Sequence, residues 1–140
     1  MKRIILLAFL CTTTLVMAQR INHVQEAIAN YDYEAALTLI AKEKPTIPLL
    51  LQKGKAQRGL GMNTEALSTY QEIITNDTAN TRAYIEAAEC CRSLAKYQQA
   101  LKYYEQALDL NPENKYVRIQ YIGLLLSLQK FQDALGESSL

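Results

Sequence analysis

The chain has 140 residues, 49% hydrophobic and 21% charged, with 15 Lys+Arg against 14 Asp+Glu. That length points to one domain rather than several. With only 5 Gly and 3 Pro, the composition excludes a disordered tail, because there are enough apolar side chains to bury a core. A net charge of +1 argues against a dedicated nucleic-acid binder, which carries a clear basic excess.

Lys2 and Arg3 precede an apolar run from Ile4 to Val16, softened by Thr12, Thr13 and Thr14 and followed by Met17, Ala18 and Gln19. This is the layout of a secretory signal peptide over residues 1–18. The run is shorter than the ~20 apolar residues a spanning helix needs, and Val16 and Ala18 are the small residues a signal peptidase accepts before its cut. Cleavage is expected between Ala18 and Gln19, with export to the periplasm of a Gram-negative bacterium. The alternative is an uncleaved N-terminal anchor in the inner membrane; with cleavage, no stable membrane span is expected. Leu10 stands where a lipoprotein signal needs a small residue, which disfavours lipidation at Cys11. Cleavage removes two cations and no acid, so 13 Lys+Arg remain against 14 Asp+Glu, a net charge of −1. Nucleic acid then has no electrostatic support as a partner.

From Ile21 onward the pattern is helical, in short segments separated by turn residues. Between Thr81 and Leu94, apolar or small residues fall at Tyr84, Ala87, Ala88, Cys91 and Leu94, the stripe of one helix face. A second stripe follows at Tyr97, Ala100, Leu101, Tyr104, Ala107 and Leu108. A link of about three residues forces the two helices back antiparallel. Asn111-Pro112 ends this hairpin and opens another, Asn being suited to cap it. Cys90 and Cys91 point about 100° apart on such a helix and cannot bridge each other, so they read as two small buried hydrophobes.

The small residue after each turn recurs as Ala36, Ala66, Ala100 and Ala134, spaced by 30, 34 and 34 residues. A fixed period of this length is the mark of a helical repeat array. The small side chain permits close helix approach, and an aromatic before the turn (Tyr33, Tyr97, Phe131) is expected to fill the space between hairpins.

These residues resemble the tetratricopeptide repeat family. Thr81–Asn114 carries the likeness best, with Tyr84 where the family has Trp, Ala87-Ala88 for its Leu-Gly, then Tyr97, Ala100, Tyr104, Ala107 and Pro112 in register. Ile47–Asn80 keeps Gly54, Ala66, Tyr70 and Ile73, with Asn63 for the turn aromatic and Thr78 for the closing proline. The resemblance implies an all-α fold, a right-handed superhelix of antiparallel hairpins. The expected units are a degenerate repeat over 19–46, repeats over 47–80 and 81–114, and a partial fourth over 115–140 that stops inside its second helix. Such stacks need a polar terminal cap. The expectation is therefore either the front piece of a longer array or an end covered by a partner, including a second copy of the chain.

Chemistry has few footholds. There is one histidine, and no HExxH, GxSxG, glycine-rich phosphate loop or paired-cysteine ligand spacing, so neither an enzyme nor a cofactor or metal is expected. Glu86 and Glu89, one helical turn apart, read as a solvated face. The resemblance instead implies a concave groove lined by the first helix of each hairpin. Its positions here are Lys55, Arg58, Arg82, Ile85, Glu89, Arg92, Tyr116, Ile119 and Gln120. This mostly basic set suits a protein or peptide partner with an acidic segment, or a C-terminal carboxylate, held by charge-assisted bonds. Ile21 and Gln25 stand where members that bind chaperone tails carry Lys and Asn. The runner-up role is a structural oligomerisation or envelope-assembly subunit. Between the second and third units, Asp77-Thr78-Ala79 is similar to a short O-glycosylation signal of exported Bacteroidetes proteins, with Thr78 as acceptor. The plainer reading is a turn whose Asp and Thr cap the next helix.

The intact mass of the exported protein is expected to correspond to a chain beginning at Gln19. A species retaining residues upstream, or carrying lipid, overturns the signal assignment.

Overall fold

A computed structural model describes residues 19–137, with backbone alone at 130, 131 and 133–137. The expected signal peptide over 1–18, with Ala18, lies outside the described residues. All regular structure among them is helical: α1 (19–29), α2 (Tyr33–Ile40), α3 (Ile47–Gly59), α4 (Asn63–Asn76), α5 (Thr81–Ser93), α6 (Tyr97–Leu110) and α7 (Lys115–Glu137). The chain divides into two compact units, Met1–Met62 and Asn63–Leu140.

In the first unit, α1 contributes Val24 and Ile28 to the core, α2 Ala36 and Ile40, and α3 Leu49 and Ala56. The first two pairs are spaced i, i+4, so each helix presents one stripe. Asp32 caps α2 by accepting from Ala35 N at 3.1 Å. Thr46 caps α3 through Leu49 N at 3.4 Å, with Pro48 in the first turn where no amide proton is needed. The Tyr33 ring lies directly over Gly59, where it would collide with a Cβ.

In the second unit, α5 packs on α4 and on α6, and α6 packs on α7. Ala66, Ala83, Ala87, Ala88, Cys90, Cys91, Ala100, Ala107 and Val117 are completely buried, and most are small, as close helix crossings require. Neither Cys90 nor Cys91 forms a disulfide, and burial pushes the Cys91 thiol pKa up, which keeps it an inert hydrophobe. Asn80 caps α5 through Ala83 N and Asn114 caps α7 through Val117 N, both at 3.1 Å. Asn111, the expected cap of α7, instead ends α6. In the loop before α5, Asp77 accepts from Ala79 N at 3.2 Å and from Asn80 Nδ2 at 3.0 Å. The helix cap is therefore Asn80, and Thr78 is exposed beside it.

Among the described residues, three helices are closed off by a residue with left-handed backbone just beyond their ends: Tyr31 (φ 61°), Gly61 (φ 75°) and Ala95 (φ 56°). After each, the next amide reaches back five residues: Asp32 N to Ala27 O at 2.8 Å, Met62 N to Gln57 O at 2.9 Å and Lys96 N to Cys91 O at 2.8 Å. This is the Schellman closure, which satisfies the last carbonyls of a helix, and within each unit, after α1 and after α5, it also reverses the chain. The aromatics Tyr33 and Tyr97 follow the turn as the first residues of α2 and α6 rather than preceding it. Tyr97 remains 42% exposed, so it does not fill a gap between hairpins.

The shorter first spacing, 30 instead of 34, has a direct cause. Helix α2 has 8 residues where α4 has 14, and the loop after α2 is two residues longer than the loop after α4. At the other end the sequence predicts a turn before Phe131, but α7 continues through it to Glu137. Gln129, one period after Ala95, stays in the helix, as suits a good helix former with no preference for left-handed backbone. The side chains of Phe131 and Ala134 lie outside what is described.

Ala95→Gly is expected to raise stability by about 1 kcal/mol, since it relieves 1–2 kcal/mol of left-handed strain at some cost in unfolded-chain entropy. Gly59→Ala should lower it, because overpacking against Tyr33 at about 1–3 kcal/mol outweighs a helix-propensity gain of at most about 1 kcal/mol. Denaturant melts of both variants check the opposite signs.

Candidate functional site

The expected groove residues sit on α3, α5 and α7. On α3, in the first unit, Lys55 is exposed and Arg58 half-buried. On α5, Arg82 is exposed, while Ile85, Glu89 and Arg92 follow at half-buried positions. On α7, Tyr116 and Ile119 are 52% and 67% exposed, and Gln120 is half-buried.

Four of these nine meet. Glu89 Oε1 accepts from the Tyr104 hydroxyl at 2.6 Å and from the Tyr116 hydroxyl at 3.1 Å. Its Oε2 lies 3.5 Å from Arg92 Nη1, and the same nitrogen donates to Gln120 Oε1 at 2.7 Å and to the Tyr104 hydroxyl at 3.4 Å. Three helices are thereby tied through one carboxylate and one guanidinium. Glu89 and Arg92 are i, i+3 on α5, which places both on one face; Tyr116 and Gln120 are i, i+4 on α7. Arg82 and Ile85 lie one to two turns earlier on the same face of α5, outside this cluster. Glu89 is therefore not the solvated acid that sequence suggests, and Arg92 is not an open cation.

Tyr104 is the residue that sequence reasoning missed. Its ring is completely buried, as its packing position suggests, but a buried hydroxyl needs a partner, and that requirement is the signal that could have found it. Burial first, and then the bond to Glu89, push its pKa well above the usual tyrosine range, with Arg92 opposing. Arg92 holds its proton more firmly through its bond to Tyr104, against a burial effect of opposite sign.

Beside the cluster opens a cavity of about 810 Å³, lined by Glu89, Arg92, Ser93, Tyr97, Leu124, Ser127 and Leu128. The last five lie outside the expected set. Among the described residues no group of three or more His, Cys, Asp or Glu could hold a metal ion, and no helix is long and apolar enough to cross a membrane. His23 sits at the surface, 3.8 Å from Glu26.

A tetratricopeptide repeat family model matches residues 92–137. Human tetratricopeptide repeat protein 6 is 30% identical over 89 residues, which cover 64% of this chain; the chain spans only 16% of that protein's length. Among solved structures, the first such domain of human RPAP3 is 19% identical and superimposes with a TM-score of 0.74 over 81% of this chain and 93% of its own. The first domain of Spaghetti (RPAP3), bound to the HSP90 peptide SRMEEVD, gives 20% identity and a TM-score of 0.75 over 80% and 92%. The Yersinia enterocolitica type III secretion chaperone SycD, in complex with a peptide of the translocator YopD, gives 18% and 0.73 over 84% and 95%. The family model over residues 92–137, the repeat in the sequence and these likenesses support tetratricopeptide repeats in this chain, and the solved structures share its helical-hairpin fold. Repeat folds of this kind are in general scaffolds that present extended binding surfaces rather than catalysts.

An alkaline titration followed by tyrosine absorbance should show Tyr104 ionising after most of the nine tyrosines. Because its folded pKa is raised above the unfolded 10.0, its stabilising contribution is complete below pH 10 and is lost as pH climbs through the folded value. Tyr104→Phe should abolish the late step, and an unchanged titration curve contradicts the buried bond to Glu89.

Proposed function

We propose that the chain is a non-catalytic scaffold that binds a peptide or protein segment on the exposed face of α5 and α7, after export to the periplasm of a Gram-negative bacterium. One observation carries the binding reading: a hydrogen-bonded cluster of Glu89, Arg92, Tyr104, Tyr116 and Gln120 borders an open cavity, and all of its members but Tyr104 lie on α5 and α7, the helices that carry the exposed Arg82, Tyr116 and Ile119. Fixed polar groups next to exposed apolar surface are what a recognition face requires. Two of the similar structures were solved with peptides bound, which supports the same reading. The layout of residues 1–20 supports export. In an exported protein the exposed Thr78 is a reachable acceptor for a sugar, which would add hexose mass in the intact-mass measurement.

A second reading, self-association through α7, draws on Ile122, Leu125 and Leu126, which are 48%, 40% and 58% exposed.

Crosslinking in the native envelope followed by mass spectrometry identifies the partner. The double variant Arg82→Glu/Ile119→Asp, at two exposed positions that leave the core untouched, is expected to weaken it at least tenfold, about 1.4 kcal/mol. Equal affinity removes α5 and α7 as the site. A wild-type dimer in size exclusion that this variant dissolves favours self-association instead.

A further inference from the structure

The cavity between the end of α5, the start of α6 and the middle of α7 differs chemically from a basic groove. Its one cation is matched, since Arg92 faces Glu89 Oε2 at 3.5 Å, so the lining carries no net charge. Ser93 and Ser127 spend their hydroxyl protons inside their own helices, on Glu89 O at 3.1 Å and Gly123 O at 2.8 Å. Leu124, Leu128 and Tyr97 supply the apolar wall. Among the described residues, the contacts of Arg92 with Tyr104, Gln120 and Glu89 all run through Nη1. A guanidinium carries five N–H donors in a fixed fork, so Nε and Nη2 retain donors for an incoming acceptor.

We propose that this cavity, rather than the cationic positions, selects the bound segment. The occupant is an extended peptide that seats one large apolar side chain against Leu124, Leu128 and Tyr97 and gives a main-chain carbonyl to Arg92. The inference rests on the peptide-binding reading above and names the partner's chemistry. A carboxylate is selected against, because it would share Arg92 with Glu89, which two tyrosine hydroxyls already hold in place, and like charges at that separation repel. A cationic side chain would meet Arg92 itself. A neutral apolar anchor with a carbonyl beside it satisfies every group on the lining. Size agrees: about 810 Å³ lies within the roughly 300–1,000 Å³ of ligand pockets. The stretch of α7 from Tyr116 to Leu128 is about 18 Å long at 1.5 Å per residue, which matches roughly five residues of extended chain.

The full chain is titrated against a positional-scanning library of fluorescent dodecapeptides, each made with a free and an amidated C-terminus. Wild type is expected to favour a large aliphatic or aromatic residue at one position by at least tenfold, with no preference for the free carboxylate. Ser127→Trp, which fills the cavity from an exposed position, should erase that preference. Arg92→Lys, which keeps the charge beside Glu89 but loses the fork, should weaken all sequences alike. Enrichment of acidic residues or of the free C-terminus overturns the proposal. So does an apolar preference that survives in Ser127→Trp; if such peptides are then lost in Arg82→Glu, the α5–α7 face stands and only the cavity fails. Absence of binding by wild type to every member overturns both readings.

Discussion

One residue of left-handed backbone after α1, α3 and α5 is the constraint on which the helical path depends. A helix leaves its last carbonyls unpaired, and a link of three residues has little room to satisfy them and reverse the chain together. The αL residue does both, by sending the following amide back five positions. Glycine does this without strain at Gly61, but Tyr31 and Ala95 hold the same conformation with side chains attached. That strain persists only because the helices after it pack, as α2 does through Ala36 and Ile40 and α6 through Ala100, Tyr104 and Ala107.

The repeat was legible because packing writes it into the sequence. The small residues Ala36, Ala66 and Ala100 recur where helices cross closely, and all three are completely buried. The turn was less legible, since only one of the three left-handed positions is a glycine and the other two look like ordinary helix residues. The fourth turn misled for the same reason: the alanine at 134 follows the period, but what decides the backbone is residue 129, and glutamine there has no cause to leave the helix. Periodicity reports which faces are buried, not where the chain reverses.

Four of the nine candidate positions meet in the structure, but their chemistry was not legible in the sequence. The family resemblance placed Glu89, Arg92, Tyr116 and Gln120 on one groove, and helix spacing keeps each pair, Glu89 with Arg92 and Tyr116 with Gln120, on one face of its own helix. Neither could show that Glu89 and Arg92 are both bonded to Tyr104, twelve residues beyond Arg92 and on another helix. A tyrosine in a packing stripe reads as bulk. Its hydroxyl is the polar group that had to be satisfied, and the carboxylate that satisfies it also fixes the arginine.

This pairing makes the polar cluster architectural first. Glu89 and Arg92 have side chains only 17% and 38% exposed, and removing either would leave the other partly buried without its counter-charge, a costlier state than an apolar substitution of both. Charges held so firmly are poor at following a mobile acidic ligand but good at presenting a fixed donor beside an apolar recess, because rigid groups lose little freedom on binding. The side chains that can vary without disturbing the fold are the exposed ones around the cluster: Arg82, Ile119 and Ser127. In the proposed peptide-binding role, specificity is set by what surrounds the ion pair, while the pair ties α5, α6 and α7 together.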